Sequence, residues 1–534
     1  MTITHNTRDP NFRIPFGAVK CGTKILMSLA ASEPGLKVML RTWVDGEGEK
    51  LFPMKEEEGE GLYIYRTELC REDPGIIWYS FIISRTEEDG TEKVFRYGAR
   101  EGRTGGEGAV YDHEPPSFQI TVYRERRLPD WYRKAVFYQI FPDRFSRDDN
   151  WEETVKAGLG SHKNGPARVI NYDWDKTPSY KKDEKGRVTE WEFYGGTLRG
   201  IRDRLPFLKD MGITALYLNP VFESASNHRY DTGDYMHVDP VLGGDEALEE
   251  LIDAAEKEGI SIILDGVFNH TGCDSIYFNR YGNYDSLGAF QSENSSYRSW
   301  YTFNDTPAGY NCWWGVEDLP DVNENEESYK RFIYDGDDAV VSHYLKKGIR
   351  GWRLDVADEL PDEFIEGIKA AALKTKEDSV IIGEVWDDAS NKISYGKLRR
   401  YLLGSELDGA MNYPLLDAVH SFLLSETNAY DLLETLTSLK ENYPSEALYG
   451  AFNLMGSHDR ARIMTIMGEA PSEGSLSDEE KGSFRLTEER RNLAKSRIWL
   501  MTLMQMTLPG VPSLYYGDEA GLEGYRDPWN RGAY

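Results

Sequence analysis

The sequence predicts a (β/α)8 barrel that carries an inserted subdomain after its third strand and follows an N-terminal β-sandwich. From Ala135 onward, eight short apolar runs alternate with helical patterns, which is typical of a parallel α/β fold. Most of these runs end in a polar or charged residue, as the strands of a barrel with its site at their carboxyl ends do. Residues 20–125 contain only short strand-like runs separated by Gly, Pro and acidic residues. We therefore divide the chain into a sandwich at 1–126 and a catalytic barrel at 127–534.

The barrel-strand candidates are nearly continuous apolar runs, which favours strands buried on both faces. In order they are VFYQIF (136–141), TALYLN (214–219), ISIILD (260–265), IRGWRLD (349–355), VIIGE (380–384), LDGAMN (407–412), AFNLMGSHD (451–459) and PSLYYGDE (512–519). Amphipathic helices are predicted between them, at 245–259, 361–374 and 486–506. The long, Asn- and Trp-rich stretch after the third strand predicts the inserted subdomain, at about 269–340, and a second irregular insertion covers roughly 147–195.

Composition narrows the class of partner. The formal net charge of −29 repels phosphate backbones and anionic membrane surfaces, so we expect neither nucleic acid nor membrane as a partner. No apolar run has the length of a signal peptide core or a membrane span, and we expect a cytoplasmic protein. The four cysteines lack metal-ligand spacing, which argues against a zinc site. The 33 Tyr and 13 Trp suit a carbohydrate binder, because sugars stack on aromatic rings.

Three acidic residues follow predicted barrel strands and so point toward one mouth of the barrel. They are Asp355 after IRGWRL, Glu384 after VIIG and Asp459 in NLMGSHD. Retaining hydrolysis at a sugar's anomeric carbon needs two carboxyl groups about 5 to 5.5 Å apart, one as nucleophile and one as proton donor. Adjacent strands provide such a distance for Asp355 and Glu384. One isolated acid here would more often be an ordinary strand-end residue or helix cap, but three together favour catalysis.

The residues around these acids predict their protonation. Side chains at i and i+2 of a strand share a face, so we expect Arg353 to lie beside Asp355 and to keep it ionised at neutral pH. Glu384 lies near that negative charge and is followed by Val385 and Trp386. We expect it to stay protonated as the general acid and later to activate water as a base.

Histidines and tryptophans near the same strand ends are candidates for sugar contact. His270 in DGVFNH and His458 in GSHD follow predicted strands, although an isolated histidine is more often structural. Asp459 beside His458 is expected to hydrogen-bond two sugar hydroxyls more tightly as the ring flattens. It would therefore stabilise the transition state rather than transfer a proton. For Trp313 and Trp314 of the inserted subdomain, sugar contact and a structural role are equally expected.

Four of these segments, DGVFNH, GWRLDVADE, GEVW and GSHD, resemble in order and placement the best-known motifs of the α-amylase family of glycoside hydrolases. The segments GITALYLNP, HRYDTGDY, LPDVN and VPSLYYGDEAG add to the resemblance, which covers essentially 135–534. The N-terminal sandwich resembles the starch-binding-like domain that precedes the barrel in neopullulanases, cyclomaltodextrinases and maltogenic amylases. The resemblance implies retaining hydrolysis of α-(1→4)-glucosidic bonds in maltodextrins, cyclodextrins, pullulan or starch through a covalent glycosyl-enzyme.

Residue by residue, the resemblance implies that Asp355 is the nucleophile, Glu384 the acid/base and Asp459 the transition-state stabiliser. Other positions that match sugar-binding residues of the family are Tyr230, Asp265, His270, Arg353 and His458. Tyr230 matches the aromatic residue that stacks under the sugar being cleaved. Glu359 matches a Glu of the neopullulanase-like group at an acceptor subsite, which implies oligosaccharide or cyclodextrin use and some transglycosylation.

Two departures bear on the acceptor site and on calcium. Asp358 stands where the neopullulanase-like group usually has Asn, so a charge replaces an amide near the acceptor. The segment RFSRDDNWEE lacks the full Asn/Asp/Gly pattern of a calcium loop, whereas Asn269 matches a position that binds calcium in many amylases. A loop-capping role for Asn269 is an equal alternative. The chemistry itself requires no cofactor.

The sequence ends shortly after the eighth predicted barrel strand. Tyr534 lies fifteen residues after Glu519, before a helix that could cover the eighth strand, and the C-terminal β domain of the family is missing. We therefore expect a truncated form that is poorly stable or oligomeric. The sandwich is expected either to bind glucan or to contribute to a homodimer. A glucanotransferase of the same fold and a catalytically inactive amylase-like binding protein are the alternatives to hydrolysis.

Overall fold

The computed structural model describes residues 1–59 and 61–534, and these form two compact units. The first unit comprises Met1–Arg127, Asp387–Asp408 and Asn428–Tyr449, and the second comprises Leu128–Trp386, Gly409–Thr427 and Gly450–Tyr534. The predicted boundary after residue 126 lies beside the end of the first segment. No sequence pattern indicated that two later segments would join it. Within the described residues, no helix combines the length and apolar character needed to cross a bilayer.

The first unit contains two sheets that pack face to face. One sheet contains Ile3–Thr4, Arg13–Ile14, Ile25–Ala31, Lys55–Glu58 and Tyr63–Leu69. The other contains Val19–Lys20, Lys37–Val44, Gly48–Pro53, Gly75–Thr86, Glu92–Gly98, Ala109–Tyr111 and Phe118–Tyr123. Met27 and Leu29 of the first sheet share a buried core with Phe81 and Ile120 of the second. This is the predicted sandwich.

Buried charges attach one of the later segments, Asn428–Tyr449, to the sandwich. These segments contain the hairpin Ile393–Ser394/Lys397–Leu398 and the helices Ala429–Asn442 and Ser445–Tyr449. Arg13, from a short edge strand, pairs with Glu441 at 3.0 Å, and both side chains are almost fully buried. Arg8 pairs with Glu441 and with Glu434. Breaking a buried pair leaves an uncompensated charge, so these contacts fix the helix Ala429–Asn442 to the sandwich.

All eight predicted barrel strands are present and parallel. They are strand 1, Phe137–Ile140; strand 2, Ala215–Leu218; strand 3, Ser261–Gly266; strand 4, Gly351–Leu354; strand 5, Val380–Gly383; strand 6, Gly409–Ala410; strand 7, Phe452–Leu454; and strand 8, Val511–Tyr515. Neighbours pair in the order 6-5-4-3-2-1-8-7, and a single bridge between Met411 and Phe452 joins the ends of this ladder. The fold is therefore a nearly closed (β/α)8 barrel.

Amphipathic helices surround the barrel. They are Asp130–Arg133, Trp151–Gly158, Leu198–Asp203, Leu205–Asp210, Gly244–Glu258, Glu327–Lys330, Val340–Lys347, Asp362–Thr375, Tyr413–Leu423, Ile463–Met467, Asp478–Ser483 and Glu488–Thr507. The helix Gly244–Glu258 buries Leu248, Leu251, Ile252 and Ala255, the spacing of a single apolar stripe. In the described chain no α-helix follows strand 8, and the last element is a 3-10 turn at Trp529–Arg531.

Both predicted insertions rise after strand ends. The one after strand 1 forms a small sheet from Ala167–Ile170, Lys181–Lys182 and Val188–Phe193. A hairpin of Phe222–Ser224 and Thr232–Val238 follows strand 2. After strand 3, the described chain from 267 to 326 has turns and isolated bridges, and its aromatic side chains pack on one another, as Phe278 does on Tyr301 and Tyr310. Aromatic packing thus replaces a regular ladder in this subdomain.

The barrel interior supplies the first prediction. Leu454 on strand 7 is 1% exposed and shares a core with Phe137, Tyr217 and Phe452. The Leu454→Ala variant should lose about 2 to 5 kcal/mol of unfolding free energy in urea titrations, because a cavity remains in a close-packed interior. Leu503→Ala, whose side chain is 60% exposed, is the matched control and should change little. Equal losses in the two variants would contradict this description of the core.

Candidate active site

The three predicted acids meet at the carboxyl ends of their strands. Asp355 directly follows strand 4, and Glu384 directly follows strand 5. The two strands run in register, with Leu354 opposite Gly383, so Asp355 and Glu384 are lateral neighbours. Both side chains are largely buried. Asp459 follows strand 7 after a short loop and keeps about a quarter of its side chain exposed.

One guanidinium connects the acids of three adjacent strands. Arg353 Nη1 donates to Asp265 Oδ1 and to Asp355 Oδ1, both at 2.8 Å. Its Nη2 forms an ion pair with Glu384 Oε2 at 2.7 Å. The Arg353 side chain is 1% exposed, so water contributes little to balancing these charges. The structure thus brings Asp265, Asp355 and Glu384 into contact with one side chain, that of Arg353.

Burial and charge oppose each other at Asp355. Burial raises the pKa of its carboxyl well above the usual range, Arg353 lowers it, and the nearby Glu384 raises it further. Burial likewise raises the pKa of Asp265 against the effect of Arg353. The sequence-based expectation counted only the guanidinium beside Asp355. The structure adds burial, which acts in the opposite direction and outweighs the guanidinium, so the ionised state of Asp355 stays a prediction.

Both oxygens of Glu384 are held. The backbone N–H of Val356 donates to Oε2 at 2.8 Å, and the indole Nε1–H of Trp386 donates to Oε1 at 2.9 Å. Val356 has a φ of 40°, in the left-handed region that β-branched residues avoid. This strained backbone directly after Asp355 aims the amide at the neighbouring carboxyl group. The expected protonated state of Glu384 stays a prediction.

Tyr230, His458 and Asp459 form one wall of the site. The Tyr230 ring lies parallel to the His458 ring at 5.3 Å, and its hydroxyl donates to Asp265 Oδ2 at 2.9 Å. His458 Nε2 lies 3.2 Å from Asp459 Oδ2. Burial lowers the pKa of His458 well below its usual value, so this imidazole is neutral at physiological pH. The wall therefore offers neutral donors and one carboxylate to a sugar.

His270, Trp313, Trp314 and Glu359 form the opposite side. The His270 ring stacks on Trp313 at 5.4 Å, and the Trp313 ring lies 5.7 Å from that of Trp314. Trp314 is 81% exposed and donates from Nε1 to Glu359 Oε1 at 3.0 Å. Burial lowers the pKa of His270 to about 3, and its Nε2 has no hydrogen-bond partner among the described residues. The imidazole is therefore neutral at physiological pH.

Sequence reasoning missed several polar partners of this site. Tyr217 on strand 2 donates to Asp265 Oδ2 at 2.7 Å, and Gln139 Nε2 on strand 1 lies 2.8 Å from His458 Nδ1. Inward-facing polar positions within apolar strands were the signal that could have found them. Because Nδ1 accepts from Gln139, the proton of neutral His458 sits on Nε2, toward Asp459.

The calcium expectation finds no support in the side chains around Asn269. Its amide nitrogen lies 3.2 Å from His270 Nδ1, and its carbonyl accepts from Val322. In residues 1–59 and 61–534, no three His, Cys, Asp or Glu side chains converge as metal ligands. Calcium binding stays a prediction, and the chemistry below uses the chain's own residues.

Comparison with known proteins fits this geometry. Residues 139–533 match the α-amylase catalytic domain. The chain belongs to the α-amylase family. An amylopullulanase of Thermoanaerobacterium saccharolyticum is 36% identical to it, across 99% of this chain and 42% of that protein. A cyclomaltodextrinase of Geobacillus thermopakistaniensis is 31% identical, across 91% of this chain and 72% of that protein.

A solved structure shares the fold of this α-amylase family member. The ligand-free cyclic α-maltosyl-(1→6)-maltose hydrolase of Arthrobacter globiformis is 30% identical and superposes with a TM-score of 0.60. The match covers 76% of this chain and 79% of that one. The chain spans 29% to 42% of the length of three amylopullulanases that it matches.

Arg353 gives the second prediction. Arg353→Met leaves the carboxyl groups of three strands without their shared cation in a buried site, so the unfolding free energy should fall by about 3 to 5 kcal/mol. Arg350→Met is the matched control, because Arg350 lies on the same segment but pairs with Asp378, and these side chains are 33% and 44% exposed. That variant should lose about 1 kcal/mol or less in the same urea titration. A loss at Arg353 no larger than at Arg350 would refute the role of the shared cation.

His162 gives the third prediction, a pH effect at the rim. Its Nδ1 lies 2.8 Å from Asp274 Oδ2, which ties the insertion after strand 1 to the inserted subdomain. Burial lowers the pKa of His162, but hydrogen bonds with Asp274 and Glu223 outweigh burial and raise it to about 9 from 6.5. A raised pKa adds stability that is complete below pH 6.5 and is lost as pH rises through about 9.

The Tm difference between wild type and His162→Gln should therefore shrink steadily from pH 6.5 to 9. Differential scanning calorimetry across this range measures it. The exposed His113, replaced by Gln, is the control and should give a small difference, because water screens its pair with the fully exposed Asp112. A constant difference for His162→Gln would show that its protonation does not stabilise the fold.

Proposed function

We propose that this protein hydrolyses α-(1→4)-glucosidic bonds of α-glucans with retention of anomeric configuration. The observation that carries the proposal is the guanidinium of Arg353, which binds Asp355 and Glu384 at once. This keeps both carboxyl groups within the span of one side chain. Such proximity favours the separation of about 5 Å found in retaining enzymes over the roughly 6.5 to 9.5 Å of inverting ones.

The proposed first step forms a glycosyl-enzyme. A carboxylate oxygen of Asp355 attacks the anomeric carbon while the carboxylic acid of Glu384 donates its proton to the glycosidic oxygen, which leaves with the acceptor part of the chain. Tyr230 lies under the reacting sugar. Asp459 accepts hydrogen bonds from two sugar hydroxyls, which strengthen as the ring flattens toward the oxocarbenium ion.

The second step restores the enzyme. Glu384, now a carboxylate, takes a proton from water, whose oxygen attacks the anomeric carbon and displaces Asp355. Two inversions give net retention. Asp355 leaves as a carboxylate, and Arg353 stabilises that charge in a buried site.

The substrates that we propose are maltodextrins, cyclodextrins, pullulan and starch. The matched proteins named amylopullulanase, cyclomaltodextrinase and neopullulanase 2 support this class. A glucanotransferase activity is the second candidate. The exposed Trp314 ring, anchored on Glu359, offers a platform on which a sugar acceptor could compete with water. The inactive-scaffold alternative is disfavoured because Asp355, Glu384 and Asp459 converge.

Product analysis tests the proposal. Purified protein should release maltose or panose from β-cyclodextrin, pullulan and soluble starch, and proton NMR should show the α-anomer first. Glu384→Gln should lower kcat/KM by about 100- to 10,000-fold, because it removes the proton donor while preserving shape. Glu327→Gln, an isosteric change of a largely exposed glutamate, should leave kcat/KM unchanged.

Other outcomes discriminate the alternatives. Initial release of the β-anomer would refute retention. Longer oligosaccharides formed in excess of free sugars, when maltose is added as acceptor, would favour the glucanotransferase. An inactive wild type with correctly folded Glu384→Gln would favour the binding protein.

A further inference from the structure

Trp386, two residues after Glu384, lies on a buried aromatic platform. Its ring is parallel to that of Tyr413, with 4.0 Å between the ring centroids and 6° between the planes. Tyr413 begins the helix Tyr413–Leu423 after strand 6, is fully buried and shares the barrel core with Phe452. The platform therefore belongs to the close-packed interior, whereas Trp386 itself is 39% exposed.

The stack holds the indole N–H beside the proposed acid/base. Trp386 Nε1 donates to Glu384 Oε1 at 2.9 Å. The guanidinium of Arg460 lies 5.5 Å from the centre of the Trp386 ring and 5.9 Å from that of Tyr413. A parallel aromatic ring and a nearby guanidinium both stabilise one orientation of the indole. The orientation of Oε1 therefore depends on residues from strand ends 6 and 7 as well as on its own segment.

The hydrogen bonds of Glu384 indicate which oxygen carries its proton. Oε2 accepts the backbone N–H of Val356 at 2.8 Å and lies 2.7 Å from Arg353 Nη2, while Oε1 accepts the indole N–H of Trp386. A proton on Oε2 would face an N–H and a guanidinium, so the proton that Glu384 gives to the glycosidic oxygen belongs on Oε1. A protonated oxygen is a poor acceptor, and donors that bind a carboxylate favour its ionised form.

The indole bond therefore follows the charge of Glu384 through the reaction. It weakens when the carboxyl group takes up its proton as an acid, and it forms again when the group is a carboxylate. We propose that Trp386 is a positioning residue that holds Glu384 in the ionised form needed to activate water, with Tyr413 as the platform that fixes the indole. This rests on the proposed hydrolysis through a glycosyl-enzyme.

Other charged and titratable groups face Glu384 and its indole partner. They are Arg353 and Asp355 from strand 4, Tyr413 from the helix after strand 6, and His458 and Arg460 from the loop after strand 7. Burial raises the pKa of Tyr413 well above its usual value and lowers that of His458 well below it, so both stay neutral near neutral pH. Asp355 must be ionised to attack and therefore governs the acid limb of the rate profile, whereas Glu384 must be protonated and governs the alkaline limb.

The pH dependence of kcat/KM on soluble starch tests this role. Trp386→Phe keeps a ring on the Tyr413 platform and removes the N–H. Because the carboxylate of Glu384 loses a donor, the alkaline limb should move to higher pH by about 0.5 to 1 pH unit, and the acid limb should move less. A purely structural role, or a role confined to binding the acceptor, would lower kcat/KM at every pH and leave the alkaline limb in place.

Trp131→Phe is the matched control. The Trp131 indole donates to the carbonyl of Asp378 at 2.8 Å, and these residues precede strands 1 and 5, at the opposite end of the barrel. The variant loses the same kind of hydrogen bond, and its alkaline limb should coincide with that of wild type.

Tyr413→Leu is the second variant, because it removes the platform and retains the indole N–H. Its alkaline limb should move in the same direction but less far, and Tyr413→Phe, which keeps the ring, should recover the wild-type profile. An unchanged alkaline limb in folded Trp386→Phe, or in Tyr413→Leu if Trp386→Phe does not fold, would overturn the positioning role and leave glucan hydrolysis intact. A wild type inactive on every α-glucan would overturn the proposed function and this role with it.

Discussion

The single guanidinium of Arg353 is the constraint on which the site depends. It binds acidic side chains from three successive barrel strands, those of Asp265, Asp355 and Glu384. The guanidinium can reach all three side chains because strands 3, 4 and 5 run in register, with Asp265 opposite Arg353 and Arg353 opposite Ile382. The strand register and the compensation of charge therefore depend on each other. Without the register the guanidinium would reach fewer acidic side chains, and without the guanidinium burial would favour their neutral forms.

The same cation is linked through polar contacts to Asp459, the proposed transition-state stabiliser. Arg353 holds one oxygen of Asp265, and the other oxygen accepts the Tyr230 hydroxyl. Tyr230 contacts His458, and His458 contacts Asp459. A displacement at Arg353 would thus be felt across the site, from the proposed nucleophile to the opposite wall. Neutral His458 fits this network, because a second buried cation would compete with Arg353 for the carboxylates.

The sequence patterns predicted those features of the fold and site that depend on the periodicity of the barrel strands. The eight strands and the positions of Asp355 and Glu384 at their ends follow from apolar runs that end in a charge, and Arg353 follows from its spacing of two. Contacts set by backbone conformation or by distant segments were not predictable. The left-handed Val356 amide on Glu384 has no local sequence signal. The attachment of 428–449 to the sandwich depends on Arg13 and Glu441, more than 400 residues apart in sequence. The segment 387–408 is held by hydrogen bonds of Ser390 and Asn391 with Gln119. The hydrogen bond between Trp314 and Glu359 joins segments 45 residues apart, so the sequence alone did not predict it.

Trapping of the glycosyl-enzyme tests the central claim most directly. A 5-fluoro-α-glucosyl fluoride should form its covalent intermediate faster than it is hydrolysed, and peptide mass spectrometry after acid quench then locates the sugar. We expect one adduct, an ester on Asp355, which forms at a greatly reduced rate when Arg353 is replaced by Met. An adduct on Glu384 or Asp459, or rapid turnover without any adduct in wild type, would contradict the assignment of Asp355 as a nucleophile kept ionised by Arg353.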